Sequence, residues 1–318
     1  MCYSAMVQTA FKKFVKKRGA IIDFVLFEKL YRMRFKDKKI KIPRGIDANF
    51  ANPESPEEQR IKDMIDEWDA LQRTEYEKEL FKQTTRLNNA DRVFADKPQK
   101  AEDDKRIATN KIAAAKKKLT ELNEPLKPTE KSRIFPFQFA PVFVMEQSKL
   151  VVKPMRYHLR QFYQEPKIDR ERDGLYNARR DNLDKYWKGL WGKQHAAVLI
   201  TAFYENVSLH NFEHRELKVG EAPQNVVLEF NPKPETEMLL ACLWDSWGKV
   251  EDEQFLSFAA ITDEPPVEVS AAGHDRCVIP IQEKNLEAWL TPVGRDKSEL
   301  SGILDERERP YYEHRKAA

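Results

Sequence analysis

The sequence predicts an α+β fold in which a mixed or antiparallel, barrel-like β core carries an inserted, charged helical hairpin. Two observations predict this fold. No glycine occurs between Gly45 and Gly174, whereas eight of the ten glycines lie from Gly174 onward. The glycine-free part has apolar residues at helical spacing, and the part after residue 133 has short apolar runs that are typical of strands. The predicted parts are 1–50, 51–130 and 131–318, with the main catalytic domain in the last.

The segment 51–130 is predicted to form two helices. Its apolar residues recur three and four positions apart in two stretches, Ile61, Met64, Ile65, Trp68 and Leu71, then Ala108, Ile112, Ala115, Leu119 and Leu122. Ser55 and Glu58 have the spacing of a capping box, and Pro125 and Pro128 are expected to end the second helix. We interpret the hairpin as a solvated spacer, with the alternative that it binds an unknown protein partner.

Five apolar or alternating runs after residue 133 are predicted to be strands. They are 135–145, 196–204, 225–230, 238–244 and 255–262. Few strong helical segments separate them, which favours an antiparallel or mixed sheet over a doubly wound one. The sequence also lacks a Gly-x-Gly-x-x-Gly motif, a phosphate loop and a Gly-x-Ser-x-Gly motif. Nucleotide-dependent and serine-hydrolase mechanisms therefore lose support.

The composition indicates a soluble protein of a reducing compartment. Basic residues number 55 and acidic residues 52, so that the net charge of +3 gives little general attraction to nucleic acid. Two local clusters are basic: Lys12, Lys13, Lys16, Lys17 and Arg18, and Lys36, Lys38, Lys39, Lys41 and Arg44. They could neutralise phosphates or form a solvated face.

Cysteine usage and apolar runs set further bounds. The three cysteines, Cys2, Cys242 and Cys277, have no paired spacing, so that neither a disulfide framework nor a metal site is expected. No cofactor is expected either. No signal peptide or membrane-spanning run is present, which predicts a cytoplasmic monomer without a membrane partner.

Cys2 is the first candidate catalytic residue. It directly follows Met1, and its small side chain permits removal of the initiator methionine. A terminal cysteine carries an amine and a thiol whose ordinary pKa values are roughly 8 and 8.5, so that both nucleophiles are partly available near neutral pH. An amine and a thiol on adjacent carbons condense with an aldehyde to a thiazolidine ring. The alternative is that Cys2 only marks where translation begins.

Four polar residues in the last part could serve as acid, base or anion ligand. Glu205 follows the apolar run 196–204, where partial burial would favour proton transfer. His274 follows Gly273, which allows a close backbone approach. Asn177 and Arg179 combine an amide with a planar cation suited to phosphate. The alternatives are a surface glutamate, a turn asparagine and a solvent-facing arginine.

Seven motifs after Cys2 stand in the order of a known family. They are Pro-Met-Arg-Tyr-His-Leu at 154–159, Tyr-Asn-Ala-Arg at 176–179, Ala-Phe-Tyr-Glu at 202–205, the 241–247 segment, Ile-Thr at 261–262, Gly-His-Asp-Arg at 273–276 and Trp-Leu at 289–290. The chain resembles the SOS-response-associated peptidase (SRAP) family, whose members sense abasic sites and crosslink to single-stranded DNA through an N-terminal cysteine. The resemblance covers the first residues and about 133–292, and leaves the charged insertion outside.

The resemblance implies a function and a site. It implies a DNA-repair protein of the SOS response that forms a covalent protein–DNA linkage at abasic sites in single-stranded DNA, with lyase and autoproteolytic activity. The implied catalytic residues are Cys2, Glu205, His274 and Asn177. The implied DNA-binding residues are Arg179, Arg156 and Thr262. The implied location is the cytoplasm, at the nucleoid, or the host-cell cytoplasm if a virus encodes the chain.

The chain departs from the family pattern at four places. Tyr3 and Ser4 replace the glycine and arginine of Met-Cys-Gly-Arg, so that one phosphate contact is missing or relocated. The other departures are Tyr157-His158 for Trp-Gly, Asn206 for the tryptophan after the glutamate, and Cys277-Val278 for Met-Pro. Two alternatives stay open: an amidohydrolase with an N-terminal nucleophile, and a noncatalytic module that binds nucleic acid or protein.

Overall fold

A computed structural model of the chain describes residues 2–7, 11–93, 98–126, 132–248 and 254–317, with the backbone alone at Cys2, Tyr3, Asp91 and Val93. The strands of the described part are β1 Cys2–Val7, β2 Ile21–Ile22, β3 Ser132–Ile134, β4 Phe139–Glu146, β5 Lys149–Tyr157, β6 Asn177–Arg179, β7 His195–Ser208, β8 Asn225–Lys233, β9 Met238–Trp247, β10 Phe255–Asp263, β11 Cys277–Val278, β12 Pro280–Ile281 and β13 Tyr311–Lys316. The helices of the described part are α1 Phe11–Arg18, α2 Phe24–Lys36, α3 Arg44–Asp47, α4 Pro56–Val93, α5 Pro98–Asn123, α6 Ile168–Glu171, α7 Leu209–Phe212, α8 Val267–Ala271, α9 Leu286–Leu290 and α10 Lys297–Asp305.

The chain divides into two compact units. One unit consists of residues 1–49 and 128–318, and the other of residues 50–127. The first unit contains every strand of the described part, and the second contains the long helices α4 and α5.

Five strands of the first unit close into a barrel. The ring runs β4, β5, β10, β9, β7 and back to β4, where Phe143 pairs with Ala197. The β5–β10 pairing is parallel, and the other four pairings of the ring are antiparallel. Closure leaves the ring without exposed edges between its members. The predicted mixed, barrel-like core is confirmed.

Side chains at every second position of the barrel strands fill its interior. The fully buried core includes Ala140, Val142 and Val144 of β4, Ala196, Val198 and Ile200 of β7, and Met238, Leu240 and Cys242 of β9. This period of two follows from the pleat of a strand, which sends successive side chains to opposite faces. The burial of these faces is the main stabilising contribution to the first unit.

The outer face of the barrel is covered as well, which explains why the strands are nearly continuous apolar runs in the sequence. Phe14 of α1 packs edge-on against Phe143 of β4, with 4.7 Å between ring centroids. Trp289 of α9 donates a hydrogen bond from Nε1 to the carbonyl oxygen of Ala196 at 2.9 Å.

The second unit is the helical hairpin that the sequence predicts. The backbone N–H of Glu58 donates to Ser55 Oγ at 3.3 Å, as in a capping box. The reciprocal bond comes from the backbone N–H of Glu54, which donates to Glu58 Oε2 at 2.7 Å. The second helix ends two residues before Pro125; Pro128 lies outside the described residues.

A narrow seam holds the two long helices together. Ala101, Ala108 and Ala115 are buried on α5 at intervals of one heptad, which permits close approach to α4. Arg86 of α4 donates from Nε and Nη2 to Asp104 Oδ1 of α5 at 3.0 and 2.6 Å. The rest of the hairpin is mostly exposed and charged. None of the described helices combines the length and apolar character that a bilayer crossing requires.

His195 is a buried, neutral side chain at the start of β7. Its Nε2 accepts from the backbone N–H of Gly192 at 3.0 Å, and its Nδ1 lies 3.1 Å from the carbonyl oxygen of Trp289. The ring stacks against Trp191 and Trp289. Burial lowers the pKa of His195 to about 3.

We expect this burial to make the first unit sensitive to acid. Folded His195 stays neutral, whereas the unfolded chain binds a proton below about pH 6.5. The contribution of His195 to stability is therefore complete above that pH and falls towards pH 3, by up to about 1.4 kcal/mol per pH unit. Urea unfolding followed by tryptophan fluorescence at pH 7.5, 5.5 and 4.5 should show that His195→Gln loses less stability on acidification than wild type. A His314→Gln control at an exposed position should match wild type, and equal acid sensitivity of His195→Gln would contradict the assignment.

Candidate functional site

Glu205 and His274 form a buried pair on the first unit. Their Oε2 and Nε2 atoms lie 3.3 Å apart, Glu205 has no exposed surface, and His274 is 8% exposed. Glu205 lies within β7, which continues to Ser208, so that the strand is longer than the predicted run 196–204. It stands between Cys2 of β1 and Leu228 of β8 in the sheet. A carboxyl oxygen and an imidazole nitrogen at this distance can exchange a proton directly.

Cys2 opens β1 and lies opposite Glu205 in the β1–β7 ladder. The register shifts between Cys2 and Ser4, so that Ser4 pairs with Tyr204. Opposed residues of an antiparallel pair have Cα atoms about 4.5–5.5 Å apart. The backbone of Cys2 is therefore next to the Glu205–His274 pair. The Cys2 side chain and Met1 lie outside the described residues.

The loop between α8 and β11 orients His274. Its Nδ1 lies 2.9 Å from the carbonyl oxygen of Arg276, a contact that fixes the ring plane. Burial lowers the pKa of His274, which favours the neutral imidazole near pH 7. A neutral imidazole can accept a proton and later return it.

Gly273 lets this loop approach the end of β7. Its φ is +92°, and a Cβ atom there would lie 2.9 Å from Val207 Cγ1 and 3.0 Å from Asn211 Cβ. Any larger residue must displace the loop that carries His274.

Asn177, Arg179 and Thr262 lie on neighbouring strands at one end of β10. Asn177 pairs with Ala260, and Arg179 with Thr262, in the parallel β6–β10 ladder. Asn177 is 6% exposed and Thr262 is 1% exposed. The pKa of Arg179 is raised, chiefly by its hydrogen bond to Asp181 and also by the charge of Asp275, the residue after His274. The end of β6 and the His274 loop are thus electrostatic neighbours.

Arg156 has a different environment from Arg179. Its guanidinium donates to both carboxylate oxygens of Asp169 at 2.8 and 3.2 Å and to the carbonyl oxygen of His158 at 3.2 Å. Arg160 also binds Asp169, through Nε at 3.2 Å. Burial alone would raise the pKa of Asp169, but the hydrogen bonds from Arg160 and Arg156 outweigh it and lower the pKa. The hydrogen bonds of Arg156 and Arg160 to Asp169 hold the segment that leads to β6 in place. The DNA contact assigned to Arg156 stays a prediction.

The sequence prediction missed the contacts of Arg133 and the low reactivity of the Cys277 thiol. Arg133 of β3 donates from Nε to Ser4 Oγ at 2.8 Å, and its guanidinium carbon lies 3.8 Å from the ring centroid of Tyr204. Burial, with a contribution from the charge of Glu205, raises the pKa of Cys277, so that its thiol is not a nucleophile. No local signal indicates the position of Arg133, because it reaches Ser4 through long-range strand pairing, whereas Cys277 follows His274 by three residues. Among the described residues, no three His, Cys, Asp or Glu side chains converge as metal ligands.

We expect Gly273→Ala to destabilise the first unit through the close contact with Val207 and Asn211. Gly294 is a matched control, since its φ is +87° and a methyl group at its Cα would meet no atom within 4 Å. Both variants incur backbone strain, but Gly273→Ala alone adds overpacking, which typically costs about 1–3 kcal/mol. Urea unfolding followed by tryptophan fluorescence gives the difference between the two variants. Equal stabilities would show that the loop yields freely and does not hold His274.

Three solved structures are similar to parts of this chain. A crystal structure of a protein from Bordetella bronchiseptica is 16% identical, covering 58% of this chain and 87% of the other, with a TM-score of 0.46. A protein from Bacteroides thetaiotaomicron is 18% identical over 54% and 71% of the two chains, with a TM-score of 0.44. A phage-related protein from Bordetella bronchiseptica is 15% identical over 62% and 85%, also with a TM-score of 0.44.

No curated protein matches the sequence. The family model described as SOS response associated peptidase (SRAP) matches residues 99–316. This match extends from the second hairpin helix, which the predicted resemblance left outside, through the strands that carry Asn177 and Glu205 and the loop that carries His274 to the last strand. Because it spans more than half of the sequence, the chain belongs to the SOS response associated peptidase family.

Proposed function

We propose that this protein, with Cys2 as its first residue, crosslinks covalently to abasic sites in single-stranded DNA. The observation that carries the proposal is the position of Cys2 opposite Glu205, whose carboxyl group contacts His274. A terminal amine and thiol, one acid and one imidazole are the groups that condensation with an aldehyde requires.

The reaction balances without a cofactor. The ring-opened sugar of an abasic site presents an aldehyde, which the Cys2 amine attacks to give an imine and one water. The thiol sulfur then adds to the imine carbon, and its proton passes to the nitrogen. The product is a thiazolidine that joins protein and DNA. From the imine, β-elimination of the 3′ phosphate is a competing lyase reaction. The proposed activities also include autoproteolysis, the cleavage of the peptide bond that precedes Cys2.

The site residues have distinct proposed roles. Glu205 relays protons during attack and loss of water, and His274 assists proton transfer at the sugar ring oxygen, including reversal. Asn177 orients the Cys2 terminus, and Arg179 contacts the strand beside the lesion. Thr262, which is 1% exposed, supports this DNA contact through its pairing with Arg179. Arg179 suits a phosphate contact because it is partly exposed. Arg156 suits it less, because its guanidinium is buried and binds Asp169, whereas Arg179 binds Asp181 at the surface.

Two exposed aromatic side chains support a single-stranded substrate. Phe162 and Tyr163 are 69% and 63% exposed, and their rings lie 5.7 Å apart at right angles. Asp245 holds this segment in place by accepting from the backbone N–H of Phe162 at 2.9 Å. A fixed aromatic surface can stack unpaired bases of any sequence.

We propose that the protein is a monomer whose partner is abasic single-stranded DNA. Its proposed location is the cytoplasm, at the nucleoid, or the host-cell cytoplasm if a virus encodes the chain. The hairpin is assigned to an unknown protein partner or to a spacer.

Cys2→Ala separates the chemistry of nitrogen from that of sulfur. The variant keeps a terminal amine and loses the thiol, so that it should form an imine that borohydride traps but no heat-stable crosslink. Intact mass before and after incubation with an abasic oligonucleotide should show loss of Met1 in both proteins and, without borohydride, gain of the strand in wild type alone. A heat-stable adduct on Cys2→Ala would refute the thiazolidine. Equal affinity for intact and abasic strands, without any adduct, would favour a noncatalytic module instead.

Glu205→Gln should slow crosslinking while leaving the fold intact. The substitution preserves shape but removes an exchangeable acid, and general acid–base catalysis typically contributes roughly 10²–10⁴-fold. Single-turnover crosslinking on denaturing gels measures the rate. Glu229→Gln on β8, next to Tyr204, is the matched control and should keep the wild-type rate. Equal rates for both variants would remove Glu205 from the mechanism.

A further inference from the structure

A cavity of about 580 Å³ opens beside β6 and shares Asn177 and Arg179 with the candidate site. Its other walls come from the segments 171–175 and 182–187, before and after that strand. Cavities that hold small ligands typically have volumes of about 300–1,000 Å³. The space is thus of the right size for one nucleotide, and it adjoins the candidate site at Asn177 and Arg179.

The lining combines cations with an aromatic ring. Arg172, Arg179 and Lys185 line the cavity together with Glu171 and Asp173. Asp181, which binds Arg179 through Nε and Nη2, is not part of the lining. The guanidinium carbon of Arg172 lies 5.0 Å from the ring centroid of Tyr186. Proteins that bind single strands combine cations with aromatic rings. The cations contact the phosphate groups, and the aromatic rings contact the base or sugar.

The aromatic wall is held in position before any ligand arrives. Tyr186 Oη accepts a hydrogen bond from Gln164 Nε2 at 2.8 Å, and its ring packs edge-on against Trp187 at 4.7 Å. Trp187 is buried and forms part of the floor. A wall fixed in this way loses little conformational entropy when a ligand binds.

We propose that this cavity is a subsite for the nucleotide next to the abasic residue, on one side of the lesion. Its phosphate lies between Arg179 and Lys185, and its base or sugar lies against Tyr186. This inference rests on the proposed function, since it extends the same strand from the site at Cys2 and Glu205 into the neighbouring space.

Equilibrium binding tests the subsite without the crosslink. The probe is a single strand with a tetrahydrofuran residue, which has no aldehyde, placed internally, at the 5′ end or at the 3′ end. On the internal strand, Lys185→Ala should reduce the slope of log affinity against log salt by about 0.7, the value for one single-strand phosphate. Tyr186→Leu should weaken binding about fivefold or more, as expected for one lost stacking contact.

The terminal probes reveal which neighbour occupies the cavity. One of the two terminal strands lacks the nucleotide that would occupy the cavity. On that strand, Lys185→Ala and Tyr186→Leu should bind with wild-type affinity. Lys188→Ala is the matched control, because Lys188 is an exposed lysine of the same segment outside the cavity. It should match wild type on all three strands.

Three outcomes would overturn the subsite. One is equal behaviour of Lys185→Ala, Tyr186→Leu and Lys188→Ala on the internal strand. Another is an unchanged effect of the two cavity variants on both terminal strands. The third is micromolar competition by a free deoxynucleoside monophosphate, which would assign the cavity to a free nucleotide. Absence of a crosslink between wild type and a true abasic strand would instead refute the proposed function, whatever the affinities show.

Discussion

The pairing of β1 with β7 is the constraint on which the candidate site depends. Backbone hydrogen bonds of this ladder set Cys2 opposite Glu205, although the two residues are far apart in sequence. The ladder also pairs Ser4 with Tyr204 and Ala5 with Phe203, in the part of β7 that continues from the closed barrel. Because β7 also pairs with β8 and β9, its position is fixed from both sides. The start of the chain is thus held by the most extensively paired strand of the fold.

The burial of Glu205 adds a second constraint. A carboxyl group without exposed surface is costly unless hydrogen bonds or an opposite charge accompany it. His274 supplies such a partner, and its own position depends on the close approach that Gly273 allows. The same contact that makes the buried acid tolerable therefore places a proton donor and acceptor beside Cys2. In the proposed mechanism, one contact thus serves both the stability of the fold and the transfer of protons.

Local patterns predicted four of the five barrel strands, β4, β7, β9 and β10, and both hairpin helices, because their apolar spacing records which faces are buried; the fifth, β5, was missed. The predicted run 255–262 corresponds to β10, and the capping box at Ser55 and Glu58 starts α4. The pattern could not show that β7 extends past residue 204, since Glu205 and Asn206 are polar and their burial depends on neighbouring strands. Nor could it reveal that β3 brings Arg133 to Ser4. Such contacts follow from strand pairing over long sequence separations, which no local period encodes.

Strand pairing also determines which cation lies near Ser4, where the family pattern has an arginine. The basic helix α1 packs through Phe14 on Phe143, which pairs with Ala197 near the start of β7. Eight residues separate Ala197 from Glu205, which is about 26 Å along an extended strand. The contact of α1 with the barrel is therefore near the end of β7 that is far from Glu205. Arg133 instead contacts Ser4 directly and covers Tyr204, so that β3 supplies the guanidinium that β1 lacks. The guanidinium next to Ser4 is thus supplied by strand pairing rather than by the local sequence.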